Sequence, residues 1–186
     1  MSYVIPAAIQ PSVPVTGSVD TFPVHRIYCV GRNYVDHAKE MGHTGREAPF
    51  FFMKPNDAVL PVPAGTTGEL PYPAQTQDFQ HEMELVVAIG KGGSDIGVAD
   101  ALSHVWGYAI GLDMTRRDVQ GAAKKLGRPW DTGKAFEHSA PIGPITPAAA
   151  VPGIHAAEID LSVNAAPRQH GQTDQLIWSV AETIAQ

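Results

Sequence analysis

An α+β fold dominated by β-strands is what this sequence predicts, and three observations point there. Eighteen glycines and sixteen prolines make 34 of 186 residues, about half again their usual share. That surplus interrupts long helices and suits short strands joined by many turns. The apolar runs are short, as in Leu85-Val86-Val87-Ala88-Ile89, which is the length of a buried strand. Hydrophobic residues form 44% of the chain, enough to fill a core and unlike a disordered composition. The length fits one domain, or one with a small appendage.

Each element has a local reason. Residues 1–24 read as an N-terminal arm, with prolines at 6, 11, 14 and 23 and little amphipathic period; the domain proper is expected over 25–186. Residues 26–31 form a first strand closed by Gly31, and Asn33 caps a helix that Gly42 ends after Met41. Residues 50–53, Phe-Phe-Phe-Met, make a buried strand ended by Pro55. The Pro-, Gly- and Thr-rich stretch 61–80 is a loop or irregular strand. Residues 82–89 are the clearest strand, followed by the turn Gly90-Lys91-Gly92-Gly93. A short helix over 98–103 leads to a strand over 104–113. Thr115 then caps a helix over 116–126, stopped by Gly127 and Pro129. Turns follow Pro141, then a strand over 158–163, a loop, and a helix over 175–185. The chain stops on Ala185-Gln186 in mid-helix, so a domain truncated at its C-terminus is expected.

Charge and composition exclude several classes. The net charge is −6 without a Lys/Arg-rich run, which argues against nucleic acid or an anionic membrane as partner. No apolar run approaches the roughly 20 residues of a membrane span. The first seventeen residues lack a basic region and a continuous apolar stretch, unlike a secretory signal. The single cysteine, Cys29, fits a reducing compartment. A cytoplasmic location is expected.

Three groups of residues can carry chemistry. Glu82 and Glu84 lie at i and i+2 of the clearest strand, so both carboxylates share a face, about 7 Å apart. An isolated Glu-x-Glu is more often a solvated strand face, but the apolar run beside this one favours a site. Two like charges so placed call for a cation, and a hard divalent metal that accepts carboxylate oxygens answers the need. Asp113 ends the next strand, where it serves either as a third ligand or as a helix cap. His37 and Glu40 stand at i and i+3 of a helix; such a pair can hold one imidazole tautomer for general-base work on water, or be a solvated ion pair. Arg117 and Gln120 again share a face and, with Lys134, can converge on an anionic substrate. Lys124 and Lys125 read as a solvent face, and Gly90 to Gly93 as a turn without the spacing of a phosphate loop.

Five stretches together resemble the fumarylacetoacetate hydrolase family, in its acylpyruvate and fumarylpyruvate hydrolase branch. They are Cys-Val-Gly-Arg-Asn-Tyr-Val-Asp-His-Ala-Lys-Glu-Met (29–41), Pro-Phe-Phe-Phe-Met-Lys-Pro (49–55), Asp-Phe-Gln-His-Glu-Met-Glu-Leu-Val-Val (78–87), Gly-Leu-Asp-Met-Thr-Arg-Arg-Asp-Val-Gln (111–120) and Gly-Lys-Ala-Phe-Glu (133–137). The resemblance implies a mixed β-sheet roll with peripheral helices, a homodimer, and Mg²⁺ or Mn²⁺, with Ca²⁺ possible, on Glu82, Glu84 and Asp113. It implies His37 and Glu40 on a lid, Lys134 and Gln120 as polarising groups, and Arg117 and Arg32 as substrate-binding cations. Gln80 stands where the family often has a His, and the family's C-terminal Gly-Thr-Pro loop has no counterpart here. The activity implied is metal-dependent cleavage of a C–C bond in a small anionic 2,4-dioxo acid, such as fumarylpyruvate of aromatic catabolism. Oxaloacetate decarboxylation or 2-oxo acid tautomerisation on the same residues is the alternative. An inactive, truncated metal-binding relative is the alternative of another class.

Overall fold

The apolar run over 85–89 forms part of a strand in the main sheet. The computed structural model describes residues 2–34 and 46–186. A hairpin of β1 (Ser12–Pro14) and β2 (Thr21–Pro23) sets Val13 opposite Phe22. A second antiparallel ribbon pairs β3 (Ile27–Gly31) with β4 (Phe50–Lys54), Cys29 facing Phe52. β5 (Val59–Pro61) follows, and an irregular stretch leads to β6 (Phe79–Gln80). β7 (Met83–Ile89) is joined to β8 (Val105–Leu112) through α1 (Val98–Ala101). β9 (Thr115–Arg116) runs into α2 (Arg117–Lys125), then α3 (Asp131–Lys134). β10 (Ala140–Ile142), β11 (Thr146–Pro147), β12 (Glu158–Val163), β13 (Ala166–Gln172) and α4 (Val180–Ala185) complete the order.

β8 is the hub. It pairs antiparallel with β7, β10 and β11, while β10 pairs parallel with β5, giving a five-stranded mixed sheet. Three neighbours crowd around β8 because it carries glycine where another residue would clash. A Cβ at Gly107 would lie 2.4 Å from the carbonyl oxygen of Thr146 on β11. The core gathers Val13, Val24, Val59, Ala109, Ile142 and Ile145. Each buried Val or Ile contributes about 1.5–3 kcal/mol, so Val13 and Val24 hold the β1–β2 hairpin on the sheet. The proline-rich residues 1–24, expected as an arm, therefore include a hairpin packed into the core.

Three local expectations are corrected. Thr115 does not cap α2: it is fully buried in β9, where its hydroxyl donates to the Asp113 carbonyl at 3.1 Å. The stretch after Val163, expected as a loop, is strand β13. Asn164 and Ala165 take φ values of 51° and 63°, the left-handed pair that turns one strand back along another. The last helix begins at Val180 rather than near 175, because Ser179 and Glu182 form a reciprocal cap at its start. The helix expected up to Met41 falls, from Val35 onward, outside the described residues.

Candidate active site

The register of β7 against β8 brings the carboxylates together. Met83 stands opposite Leu112 and Glu84 opposite Gly111. The ladder continues one step, with the Asp113 amide donating to the Glu82 carbonyl at 2.8 Å. Glu82 and Asp113 thus face each other across the strands, an arrangement that destabilises unless a cation intervenes.

Lys134 is that cation. Its side chain is 2% exposed, and Nζ lies 2.7 Å from both Glu82 Oε2 and Asp113 Oδ2. It reaches this point because α3 packs tightly on α2. A Cβ at Gly133 would meet the Gln120 backbone nitrogen at 2.9 Å, so only glycine permits the approach. Arg117, at the start of α2, donates from Nε to Gln80 Oε1 at 2.9 Å and from Nη1 to Gln120 Oε1 at 2.8 Å, with Nη2 on Glu82 Oε1. Glu82, Asp113, Arg117, Gln120 and Lys134 therefore meet in one network.

Beneath them lies a residue that sequence reasoning missed. Lys54, at the end of β4, is 1% exposed. Its ammonium stands 2.9 Å from Asp113 Oδ1 and donates to the carbonyls of Met114, at 3.1 Å, and Lys134. The available signal was a lysine ending the Phe-Phe-Phe-Met run, where the chain enters the interior. A second missed residue is Gln169 on β13. Its amide accepts from the Met83 N–H at 2.8 Å and donates to the Met83 carbonyl at 2.7 Å, pinning the backbone between the two glutamates.

The electrostatics are uneven. Burial works against the ionised Glu82 carboxyl, but Lys134 and then Arg117 outweigh it and hold the group below its ordinary value. Glu84 has no ion pair among the described residues; burial, then the charges of Glu82 and Asp113, push it up to about 8. The Cys29 thiol is pushed up to about 12 by burial and by Asp113, a direction that disfavours the thiolate. The Tyr34 hydroxyl, buried without a partner among the described residues, is raised to about 12 by burial and Glu84.

Arg32 lies further off. Its guanidinium stacks 5.4 Å from the Phe50 ring. Phe50 and Phe52 both pack on Trp130, and Lys134 Nζ is 5.2 Å from the Phe52 ring. An aromatic wall thus connects Arg32 to the network. His37 and Glu40 lie outside the described residues.

The residues suit a divalent metal by donor type. Glu82, Glu84 and Asp113 offer hard oxygens, and Asp113 Oδ1 accepts no well-aligned hydrogen bond. Glu84 itself has no counter-charge among the described residues, and burial and the neighbouring carboxylates raise it, a deficit that a cation would fill. Among the described residues, no three acidic, His or Cys side chains are gathered closely enough to ligate as they stand. Arg117 and Lys134 occupy the Glu82 oxygens in this arrangement.

The sequence pattern of the fumarylacetoacetate (FAA) hydrolase C-terminal family matches residues 26–186. The chain belongs to the fumarylacetoacetate hydrolase family. The mixed sheet with few helices is that family's fold. A fumarylpyruvate hydrolase from Pseudomonas aeruginosa, solved with Mn²⁺ and pyruvate, superposes with a TM-score of 0.95 and 56% identity, over 99% of this chain and 79% of that one. A structure described as a putative fumarylpyruvate hydrolase from Burkholderia cenocepacia gives a TM-score of 0.87 and 50% identity, over 100% of this chain and 78% of that one. The mitochondrial oxaloacetate tautomerase FAHD1 of Mus musculus is 42% identical over 159 residues, 86% of this chain and 70% of that protein. Members of the family are enzymes, and no helix among the described residues is long and apolar enough to cross a membrane.

Proposed function

We propose that this family member hydrolyses the C–C bond of a 2,4-dioxo acid, with fumarylpyruvate as substrate and fumarate and pyruvate as products. The observation that carries the reading is the buried cluster in which Lys134 bridges Glu82 and Asp113 beside Glu84, which has no ion pair among the described residues. The 56% identity to a fumarylpyruvate hydrolase supports the choice of acyl group. Glu82, Glu84 and Asp113 would hold Mg²⁺ or Mn²⁺; when bound, the ion supplies Lewis acidity to the 2-oxo acid end of the substrate.

The side chains then divide the work. His37, oriented by Glu40, takes a proton from the water that adds to the distal acyl carbonyl. Lys134 and Gln120 stabilise the oxyanion formed there. The bond between that carbon and the pyruvate C3 breaks, its electron pair leaves as the pyruvate enolate, and the proton that His37 took from water is delivered to C3. Arg117 is already oriented by Gln80 and Gln120, and exchanges Glu82 for a substrate carboxylate. Arg32, on the aromatic wall, takes the carboxylate at the other end. In this reading the protein works as a homodimer in the cytoplasm.

A second reading is favoured by the mouse relative, whose name is oxaloacetate tautomerase. The same residues would move a proton between carbon and oxygen of oxaloacetate without consuming water. One assay separates the two. Loss of enol absorbance from fumarylpyruvate, with fumarate and pyruvate released, is expected in Mg²⁺, absent in EDTA, and abolished by Glu82→Ala. Folded protein that instead only equilibrates enol and keto oxaloacetate sinks the hydrolase reading and establishes the tautomerase.

A further inference from the structure

We propose that Lys54 is a positioning residue for the acidic centre, fixing the Asp113 carboxylate and the Lys134 backbone relative to each other. Lys54 Nζ meets three groups from two separate segments, one as an ion pair without an aligned hydrogen bond and two as hydrogen bonds to carbonyls. They are Asp113 Oδ1 at 2.9 Å, the Met114 carbonyl at 3.1 Å and the Lys134 carbonyl. Asp113 is consequently flanked by an ammonium at each oxygen, Oδ1 ion-paired to Lys54 at 2.9 Å and Oδ2 hydrogen-bonded to Lys134 at 2.7 Å. The two ammoniums set the tilt of the carboxylate. The bond to the Lys134 carbonyl sets the height from which that side chain reaches Glu82.

The cost of the residue points to a function in the site. A buried ion pair contributes little to stability, and apolar side chains of similar volume commonly replace one without loss. A strut serving packing alone would be better made from methionine. Lys54 spends its donors on the backbone carbonyls of Met114 and Lys134 and stands against Asp113, so it acts through Asp113 and Lys134. The inference rests on the reading that Glu82, Glu84 and Asp113 hold a divalent cation, because orientation of Asp113 then becomes orientation of a ligand. Groups that orient ligands in this way are typically worth about 10–100-fold in metal affinity.

The test is calorimetric titration of Mn²⁺ into metal-stripped protein, with thermal melts of the same samples. Four proteins are compared: wild type, Lys54→Met, Lys54→Gln and the core control Val59→Ala. Both Lys54 variants are expected to bind Mn²⁺ about tenfold or more weakly, whereas Val59→Ala lowers Tm and keeps the wild-type affinity. Affinity that is unchanged in the Lys54 variants, or tighter because a competing charge is gone, overturns the assignment. So does failure of both variants to fold, which would make Lys54 a folding strut. Wild-type protein that takes up no Mn²⁺ overturns the metal reading itself, a result distinct from the others.

Discussion

Lys134 concentrates the energetics of the centre in one side chain. It neutralises two facing carboxylates at 2.7 Å each, and in the proposed reaction it stabilises the oxyanion. Lys134→Met is expected to lower kcat by about 10²–10³-fold, the usual loss for one preorganised donor, in the steady-state assay of enol loss. Glu84 supplies a pH signature. Burial and the neighbouring carboxylates push its carboxyl up to about 8 from an ordinary 4.5. The folded state therefore holds a proton that the unfolded state has released between those values, and stability falls as pH rises through that window. Melts of metal-free protein should lose Tm between pH 5 and 8, at about 2–4 °C per kcal/mol for this size, and Glu84→Gln should flatten the dependence. A flat wild-type profile would show that Glu84 is ionised throughout. Glu82 with Glu84, and Arg117 with Gln120, were legible in sequence because strand and helix periods put each pair on a shared face. Lys54 was not: nothing in a Phe-Met-Lys-Pro string says that the lysine turns inward.

At the scale of elements, β13, the second strand of the β12–β13 hairpin, is the piece that local reasoning missed and the site uses. The hairpin's turn places Ala165 at φ 63°, in a region where a Cβ costs about 1–2 kcal/mol. Ala165→Gly, giving the Asn-Gly pair that such turns prefer, is expected to raise Tm. An unchanged or lower value would mean that the added backbone freedom outweighs the relief. Gln169 on the same hairpin holds both polar backbone groups of Met83. Gln169→Ala should loosen the strand between Glu82 and Glu84 and raise KM for Mg²⁺ more than it lowers kcat at saturating metal; the reverse split would assign Gln169 a purely structural role. This strand escaped the sequence because Ala-Pro-Arg-Gln-His-Gly-Gln has neither alternation nor β-branched residues. Its strand character comes from pairing with β12, and propensity gives way to tertiary context.

Across the whole molecule, segments distant in sequence supply one centre. β4 brings Lys54, the β7–β8 pair brings Glu82, Glu84 and Asp113, and the α2–α3 corner brings Arg117, Gln120 and Lys134. A ligand that binds this assembled centre and not the unfolded chain must stabilise the fold. At one hundred times its dissociation constant, Mg²⁺ or Mn²⁺ should contribute about 2.7 kcal/mol, read as a rise in Tm that EDTA reverses. The rise should be larger at pH 8 than at pH 5, because the Glu84 proton must leave when metal binds. Equal melts with metal and with EDTA at both pH values would count against a metal at these carboxylates.

Composition and short-range pattern were enough to indicate a β-rich fold, the strands over 50–53, 82–89 and 158–163, and the acidic, amide and cationic residues that meet in the network. Those features rest on side-chain period and turn chemistry, which are properties of neighbouring residues. Only the tertiary structure decided that β8 would serve three partners, that Thr115 would enter a strand instead of capping a helix, and that Lys54 and Gln169 would support the site from below and beside it. Each of these depends on contacts between residues tens of positions apart. A buried lysine becomes stable only where a distant aspartate and two distant carbonyls happen to converge, and no local period records that convergence.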